Sequence, residues 1–444
     1  MRSVVARLLK GAPRTENPSP GLKAFMLVTV CLVTVLAMVD RNILNILLTP
    51  IKKELGVSDT AMGLLTGTAF ALFYCTAAIP MARLVDAGNR RNILALSLAF
   101  WSAATALCGL ANSYLHLLIA RIGVAAGESS ANPAIMSMIS DLFPANRRAT
   151  AVASTTIGLG LGVLLGAAFG GYLADEIGWR GAFVAVGLPG FLLAMVMWLF
   201  IPEPVRGAYD GGAKMDADSA STWSTIRYLF RIPSFNFICL GKTSAQIATQ
   251  AQLIWFPTYL IRVHDLSLTQ TGLYYGLAIG IGTTVSSVIG APLADFLARK
   301  GAVWYLWVCI LSMVLAAPFA LSISFAPSAM WAIALLFCWN VTATLNGNSA
   351  IAASLAIVRP RMRGMMTALF YFIYNLIGAG LGGLLIGMLN DALAPRFGDE
   401  AIRYSLMAMP AASVLAGVFY FLGSRTVNRD VEAARRSAEE EALA

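Results

Sequence analysis

The sequence predicts an all-α membrane protein, twelve transmembrane helices in two pseudo-symmetric six-helix bundles. Three observations predict it. Of the 444 residues, 58% are hydrophobic and only 12% charged, with a mean hydropathy of +0.72. Apolar runs of roughly 20 to 28 residues recur along the chain, each long enough to cross a ~30 Å hydrocarbon core as a helix. Basic residues collect in alternate connections, as they do in a chain threaded back and forth through a bilayer.

The spans are expected at 24–49, 60–84, 92–111, 115–142, 149–175, 180–201, 235–261, 270–297, 302–323, 327–356, 365–390 and 401–423. Residues 1–23 form a basic N-terminal tail, 24–202 a first bundle and 234–424 a second. The stretch 203–233 between them opens with the longest polar interior segment, rich in Gly and alternating charge, and reads as a linker. Its last residues, 225–233, suit a short helix on the membrane surface. A charged tail, 425–444, closes the chain.

With both termini cytoplasmic, the inner loops and tails hold 23 Lys and Arg and the outer loops hold 6. That bias orients the chain and absorbs its net charge of +9. A nucleic-acid partner is therefore not needed to explain a pI near 9.4. The first apolar run is too long for a signal-peptide core and should stay as a helix. All six Cys (Cys31, Cys75, Cys108, Cys239, Cys309 and Cys338) fall inside predicted spans with no CxxC pair, so they read as small apolar residues. No metal site and no cofactor is expected. The chain carries no HExxH, GxSxG or Walker-type loop, which argues against an enzyme.

The halves repeat. At an offset of 216 residues, Pro144 and Arg147 align with Pro360 and Arg363, and Gly162, Gly166, Gly171 and Asp175 with Gly378, Gly382, Gly387 and Asp391. Asp86 with Arg90 and Arg91 is matched by Asp295 with Arg299 and Lys300. Duplicated six-helix halves are a transporter architecture.

On these residues the chain resembles the major facilitator superfamily over about 20–425. The loop Asp86-Ala-Gly-Asn-Arg90-Arg91 is similar to that superfamily's Asp-Arg-x-Gly-Arg-Arg signature, departing at Ala87 and Asn89. Asp40-Arg41-Asn42, Gly127-Glu128-Ser129 with Pro133, and Trp255-x-Pro257-Thr-Tyr259 resemble the bacterial type of the spinster-like branch, whose members carry lysolipids and sphingolipids, and its organic-anion relatives. The resemblance implies the major facilitator fold and a central cavity lined by helices 1 and 4. It also implies gating by Asp86, Arg90 and Arg91, mirrored by Asp295 and Arg299, with simple loop capping as the plainer alternative.

Charges inside apolar runs cost several kcal/mol unless they meet a partner or water, so they mark function. Asp40 and Arg41 lie about ten residues before Pro50, the expected outer end of the first helix. Arg121 should lie at similar depth on the antiparallel fourth helix, with Glu128 two turns, or ~10 Å, deeper on nearly the same face. The alternative is a static salt-bridge network, although buried ion pairs stabilise weakly relative to apolar packing. With neither His (His116, His264) at midplane depth, a proton-coupled carrier must use a carboxylate, Glu128 first and Asp40 second. Arg41 and Arg121 can hold an anionic head group through paired hydrogen bonds. Lys242 either joins them or snorkels to the interface. Gln246, Asn340, Tyr371 and Tyr374 are candidate substrate contacts, with helix packing the alternative.

The expected function is a secondary active transporter working by alternating access, coupled to protons and moving an amphiphilic anion such as a lysophospholipid or sphingoid-type lipid. That substrate class rests on the resemblance. A proton-coupled symporter of small organic anions, sugar acids or aromatic carboxylates, is the alternative. A multi-pass monomer of the bacterial inner membrane is expected, with the bilayer, protons and a small molecule as its partners.

Overall fold

The computed structural model describes residues 14–15, 18–209, 222–359 and 362–443. Nearly all of them are helical. The helices are α1 (Pro20–Leu55), α2 (Asp59–Ala87), α3 (Arg90–Cys108), α4 (Tyr114–Glu128), α5 (Ala131–Leu142) and α6 (Ala145–Phe200). Within the linker lies α7 (Thr222–Arg231), followed by α8 (Pro233–His264), α9 (Leu268–Ala298), α10 (Val303–Ser324), α11 (Ala329–Thr344) and α12 (Asn346–Ala356). Then follow α13 (Arg363–Ile373), α14 (Gly380–Phe397), α15 (Ala401–Ser405), α16 (Ala408–Ser424) and α17 (Val427–Leu443). Two residue pairs, β1 (Arg14–Thr15) and β2 (Glu203–Pro204), run parallel and tie the N-terminal tail to the start of the linker.

Among the described residues, eight helical stretches are long and apolar enough to cross a membrane. Two of them, Thr150–Phe200 and Arg363–Ser424, are 51 and 62 residues long, more than one crossing requires. In the first, Gly178 at φ 73° breaks the helix, a conformation open to glycine. The expected fourth span, 115–142, is instead two helices of 15 and 12 residues, α4 and α5, separated at Ser129–Ser130. At 15 and 12 residues each is too short to cross the core alone, which keeps this segment out of the eight.

The chain forms two compact units. One comprises Met1–Val57, Ala69–Met215 and Ser267–Gly276, the other Ser58–Thr68, Asp216–Leu266 and Leu277–Ala444.

In the first unit, α1 starts where the Ser19 hydroxyl accepts from the Leu22 amide at 3.3 Å, with Pro20 at the first helical position. Pro50 does not end it. The helix continues to Leu55 and stops at Gly56, whose φ of 64° gives the left-handed cap, with Lys52 and Lys53 in the negative last turn. The end of the helix thus lies five residues, ~7.5 Å of helix, beyond the expected one. Gly158, Gly162, Gly166 and Gly170 of α6 lie against Cys31, Val35, Val39 and Ile43 of α1. Both series step by four, so the two helices run parallel with backbones in close approach. A Cβ on Gly166 would sit 2.8 Å from the Val39 Cα. Around Trp101, Leu98, Val33, Met138 and Met197, all buried, α3, α1, α5 and α6 form one apolar core.

In the second unit, α8 packs on α16, and α10 on α16 and α11. The first turns of α2 pack on α14, where Gly63 and Gly67 meet Gly383 and Gly380. Trp255 on α8 donates its indole N–H to the Gly383 carbonyl at 2.8 Å.

Candidate functional site

The first unit gathers four charges from two helices. Asp40 and Arg41 come from α1, Arg121 and Glu128 from α4. Arg41 Nε donates to Glu128 Oε2 at 2.6 Å. The Arg41 guanidinium also lies over the rings of Phe70 and Tyr74 on α2, at 4.9 and 4.6 Å. Arg121 does not reach a carboxylate in the same way: it donates to the Asp40 backbone carbonyl at 3.2 Å, with its guanidinium 5.1 Å from the Phe70 ring. Asp40 lies beside Trp101 and Thr105 of α3. Asp40, Arg121 and Glu128 are at most 3% exposed, whereas the Arg41 side chain is 30% exposed. Arg41 is thus the member of the cluster that a solute can touch.

Local sequence sets this geometry. Gly127 lies against α3, where a Cβ would come 2.8 Å from the Trp101 Cβ, so the glycine brings α4 close enough to bury Glu128. Just after Glu128, the hydroxyls of Ser129 and Ser130 donate to the carbonyls of Ala126 and Gly127. They satisfy backbone acceptors where the helix breaks. Two acids and two guanidiniums therefore share one buried cluster, yet Glu128 Oε1 and Arg121 Nε have no hydrogen-bond partner among the described residues. A buried carboxylate held by one contact is able to change partners or take a proton.

The second unit has a smaller cluster around Lys242 on α8. Its Nζ lies 3.3 Å from Asn346 Oδ1 and 5.3 Å from the centre of the Tyr374 ring. The Tyr420 hydroxyl donates to the same Asn346 oxygen at 3.3 Å, while the Asn346 amide donates to the Ala343 carbonyl. Asn346 is thereby oriented with its oxygen toward the ammonium. Among the described residues no carboxylate pairs with Lys242. Tyr374 opens a π-helical turn, Tyr374–Ala379, a distortion often found at functional positions. Tyr371 is exposed and its ring lies 5.3 Å from that of Tyr374. Gln246 packs against Gly378. Asn340 is buried and its oxygen accepts from Thr283 at 3.1 Å, a bond between α9 and α11.

The expected gating residues divide. Arg90 and Arg91 are both buried inside the first unit. Arg90 pairs with Asp141, with Glu203 at 2.8 Å, and with the Pro204 carbonyl at 2.7 Å. Arg91 donates through its amide to Glu203 and through its side chain to the Trp198 carbonyl. Asp86 is exposed, and its carbonyl, with those of Val85 and Gly88, is capped by Arg206. Arg299 is exposed in the turn just after α9, and the side chain of Asp295 lies outside the described residues.

Sequence reasoning used Asp175 and Asp391 only as repeat markers and missed their shared task. Asp391 accepts from the amides of Asp59 and Thr60 at 3.0 and 2.7 Å, capping the start of α2 inside the second unit. Asp175 accepts from the Thr269 amide at 2.9 Å and its hydroxyl at 2.6 Å, doing the same for α9 inside the first. Asp59 is held in turn by both terminal nitrogens of Arg262, at 2.6 and 2.8 Å. The equal 216-residue offset of the two aspartates was the signal, together with the preference of helix N-termini for carboxylates.

A family model of the Major Facilitator Superfamily matches residues 30–383. An MFS-type efflux pump of Mycolicibacterium smegmatis is 31% identical over 90% of this chain and 92% of its own length. A probable L-galactonate transporter of Escherichia coli is 26% identical over 86% of the chain and 85% of its own length. The crystal structure of a bacterial homolog of the human lysosomal transporter Spinster, inward-facing and unoccupied, superposes with a TM-score of 0.85 at 28% identity, covering 93% of this chain and 99% of the other.

Proposed function

Since the chain belongs to the major facilitator superfamily, a family of multi-pass membrane transporters rather than enzymes, we propose that it is a proton-coupled secondary transporter of an amphiphilic anion. The observation that carries the coupling is the Arg41–Glu128 pair, in which a carboxyl group 1% exposed has a second oxygen with no hydrogen-bond partner among the described residues. Proton uptake by Glu128 releases Arg41, and re-forming the pair expels the proton. Asp40, buried between Arg121 and α3, is the second carboxylate able to take part.

The exposed Arg41 binds the anionic head of the substrate, phosphate or carboxylate, once Glu128 is neutral. Arg121 supports it, and Lys242 with its Asn346 and Tyr374 neighbours offers a cation in the other unit. Gln246, Asn340 and Tyr371 complete the substrate contacts. The lysophospholipid or sphingoid-type substrate rests on the resemblance of Asp40-Arg41-Asn42 and Gly127-Glu128-Ser129 to the spinster-like branch. The L-galactonate transporter among its relatives supports a sugar acid as a second reading. The chain works by alternating access as a monomer, through bundles at 24–202 and 234–424 joined by 203–233 and flanked by the tails 1–23 and 425–444. It sits in a bacterial inner membrane with both termini cytoplasmic, and Asp86, Arg90, Arg91, Asp295 and Arg299 serve gating.

Flux of labelled lysolipid and of labelled sugar acid into proteoliposomes, with and without a pH gradient, tests this reading. Lysolipid flux that rises with the gradient is expected. Sugar-acid flux alone supports the second reading, and gradient-independent flux of both removes proton coupling.

A further inference from the structure

We propose that α7 carries a binding site for acidic phospholipid headgroups. The helix turns one side into its unit, burying Thr225 and Leu229. The other side exposes Trp223 and Phe230, 66% and 48% accessible, together with Arg227 and Arg231. Their spacing of i, i+4, i+7 and i+8 places all four on one stripe.

That combination suits only one environment. In water, two large exposed aromatic rings on one short helix are costly. In hydrocarbon, two guanidiniums are costlier. At the interface the rings lie at headgroup level and the guanidiniums meet phosphates, which they bind with paired hydrogen bonds.

Neighbouring residues extend the positive patch. Arg359 lies over the ring of Tyr228, 5.5 Å from its centre. Arg363, exposed, begins α13, which packs against α7. No acidic residue occurs in α7 or in α13. Asp430, the acid of α17 that reaches the start of α8, is buried and accepts from the Ser234 amide at 3.1 Å. The helix is also held in place, because Asn236 donates to the Phe230 carbonyl at 2.8 Å. Exposed Arg227, Arg231 and Arg363 beside two aromatic anchors, with no acid on either helix, fit an anionic lipid better than a zwitterionic one, whose choline or ethanolamine cation the guanidiniums repel.

The test uses the full chain reconstituted in vesicles of brominated phosphatidylglycerol or brominated phosphatidylcholine. Nine Trp contribute to the emission, so the Trp223 share is the difference between the wild type and Trp223→Phe. That share should be quenched at least about twofold more by the brominated glycerol lipid, and the excess should shrink in high salt. Arg227→Gln with Arg231→Gln should abolish the excess while leaving the melting temperature in detergent unchanged. Equal quenching by both lipids, or an excess that survives the double substitution, overturns the proposal. So does a Trp223 share quenched by neither lipid, which would place the stripe against protein or water.

Discussion

Glu128 on α4 takes the Arg41 side chain of α1 at 2.6 Å, and the same guanidinium rests on Phe70 and Tyr74 of α2. Three helices thus meet on one cation, and among the described residues its only carboxylate contact is a single Nε–Oε2 bond. The pair is therefore both a packing element and a contact that protonation can break.

Removing one side of a buried pair leaves the other charge without compensation. Arg41→Ala should lower stability by about 3 kcal/mol, the lower part of the range for buried pairs, because the Arg41 side chain is 30% exposed. Arg41→Ala combined with Glu128→Gln should recover most of that loss. Thermal unfolding of the purified variants in detergent measures both. A double variant no more stable than Arg41→Ala would show that the pair contributes nothing as a pair.

The two aspartate caps should behave alike. Asp391→Ala removes the acceptor for two amides of α2, and Asp175→Ala that for one amide and one hydroxyl of α9. Each should cost about 1–2 kcal/mol, as loss of a helix cap does. Asp391→Asn, which keeps an acceptor, should cost less. Hydrogen exchange at Thr60 and Thr269 should rise in the matching Ala variant and not in the other.

Close approach of α1 and α6 sets a graded series. At Gly166 a new Cβ meets the Val39 Cα and carbonyl at 2.8 and 3.0 Å, backbone atoms that cannot rotate away. At Gly158 the contacts are 3.1 Å, and one of them is the Cys31 side chain. Gly166→Ala should therefore destabilise by about 1–3 kcal/mol, as overpacking does, and Gly158→Ala by less. Reversal of that order in thermal melts would contradict the packing described.

His264 gives a pH signature outside the charge cluster. Tyr259 donates its hydroxyl proton to the Ile323 carbonyl at 2.8 Å, so His264 Nε2, 3.1 Å from that hydroxyl, must be the donor to it. Burial, then the nearby Arg403 charge, lowers the His264 pKa below its usual value, against the opposing pull of Glu400 and Asp265. The folded state therefore binds fewer protons than the unfolded one in the window from the lowered pKa up to about 6.5. Stability should fall as pH drops through that window and be flat above it, for this group. Melting temperature against pH should show the slope in wild type and a reduced slope in His264→Gln.

Much of this was legible in the chain, and the exceptions share a cause. Asp40, Arg41, Arg121, Glu128 and Lys242 stand out because charge within an apolar run is expensive, and helical spacing placed Arg121 and Glu128 on one face of one helix. The partner choice was not legible: which guanidinium meets Glu128 depends on helix rotation, which residue counting does not set. Asp59 and Arg262 escaped notice because charges at helix ends are ordinary. The partners of Arg90, Asp141 and Glu203, lie 51 and 113 residues away along the chain. Pro50 misled because proline ends helices more often than it is carried through them, and here Gly56 supplied the stop.

The most direct test of the central claim is the pH dependence of substrate uptake in proteoliposomes containing Glu128→Gln, with Asp40→Asn beside it. Glu128→Gln should lose uptake driven by a pH gradient, by about tenfold or more, while substrate exchange without a gradient persists. Wild-type pH dependence in both variants would contradict proton coupling through this cluster.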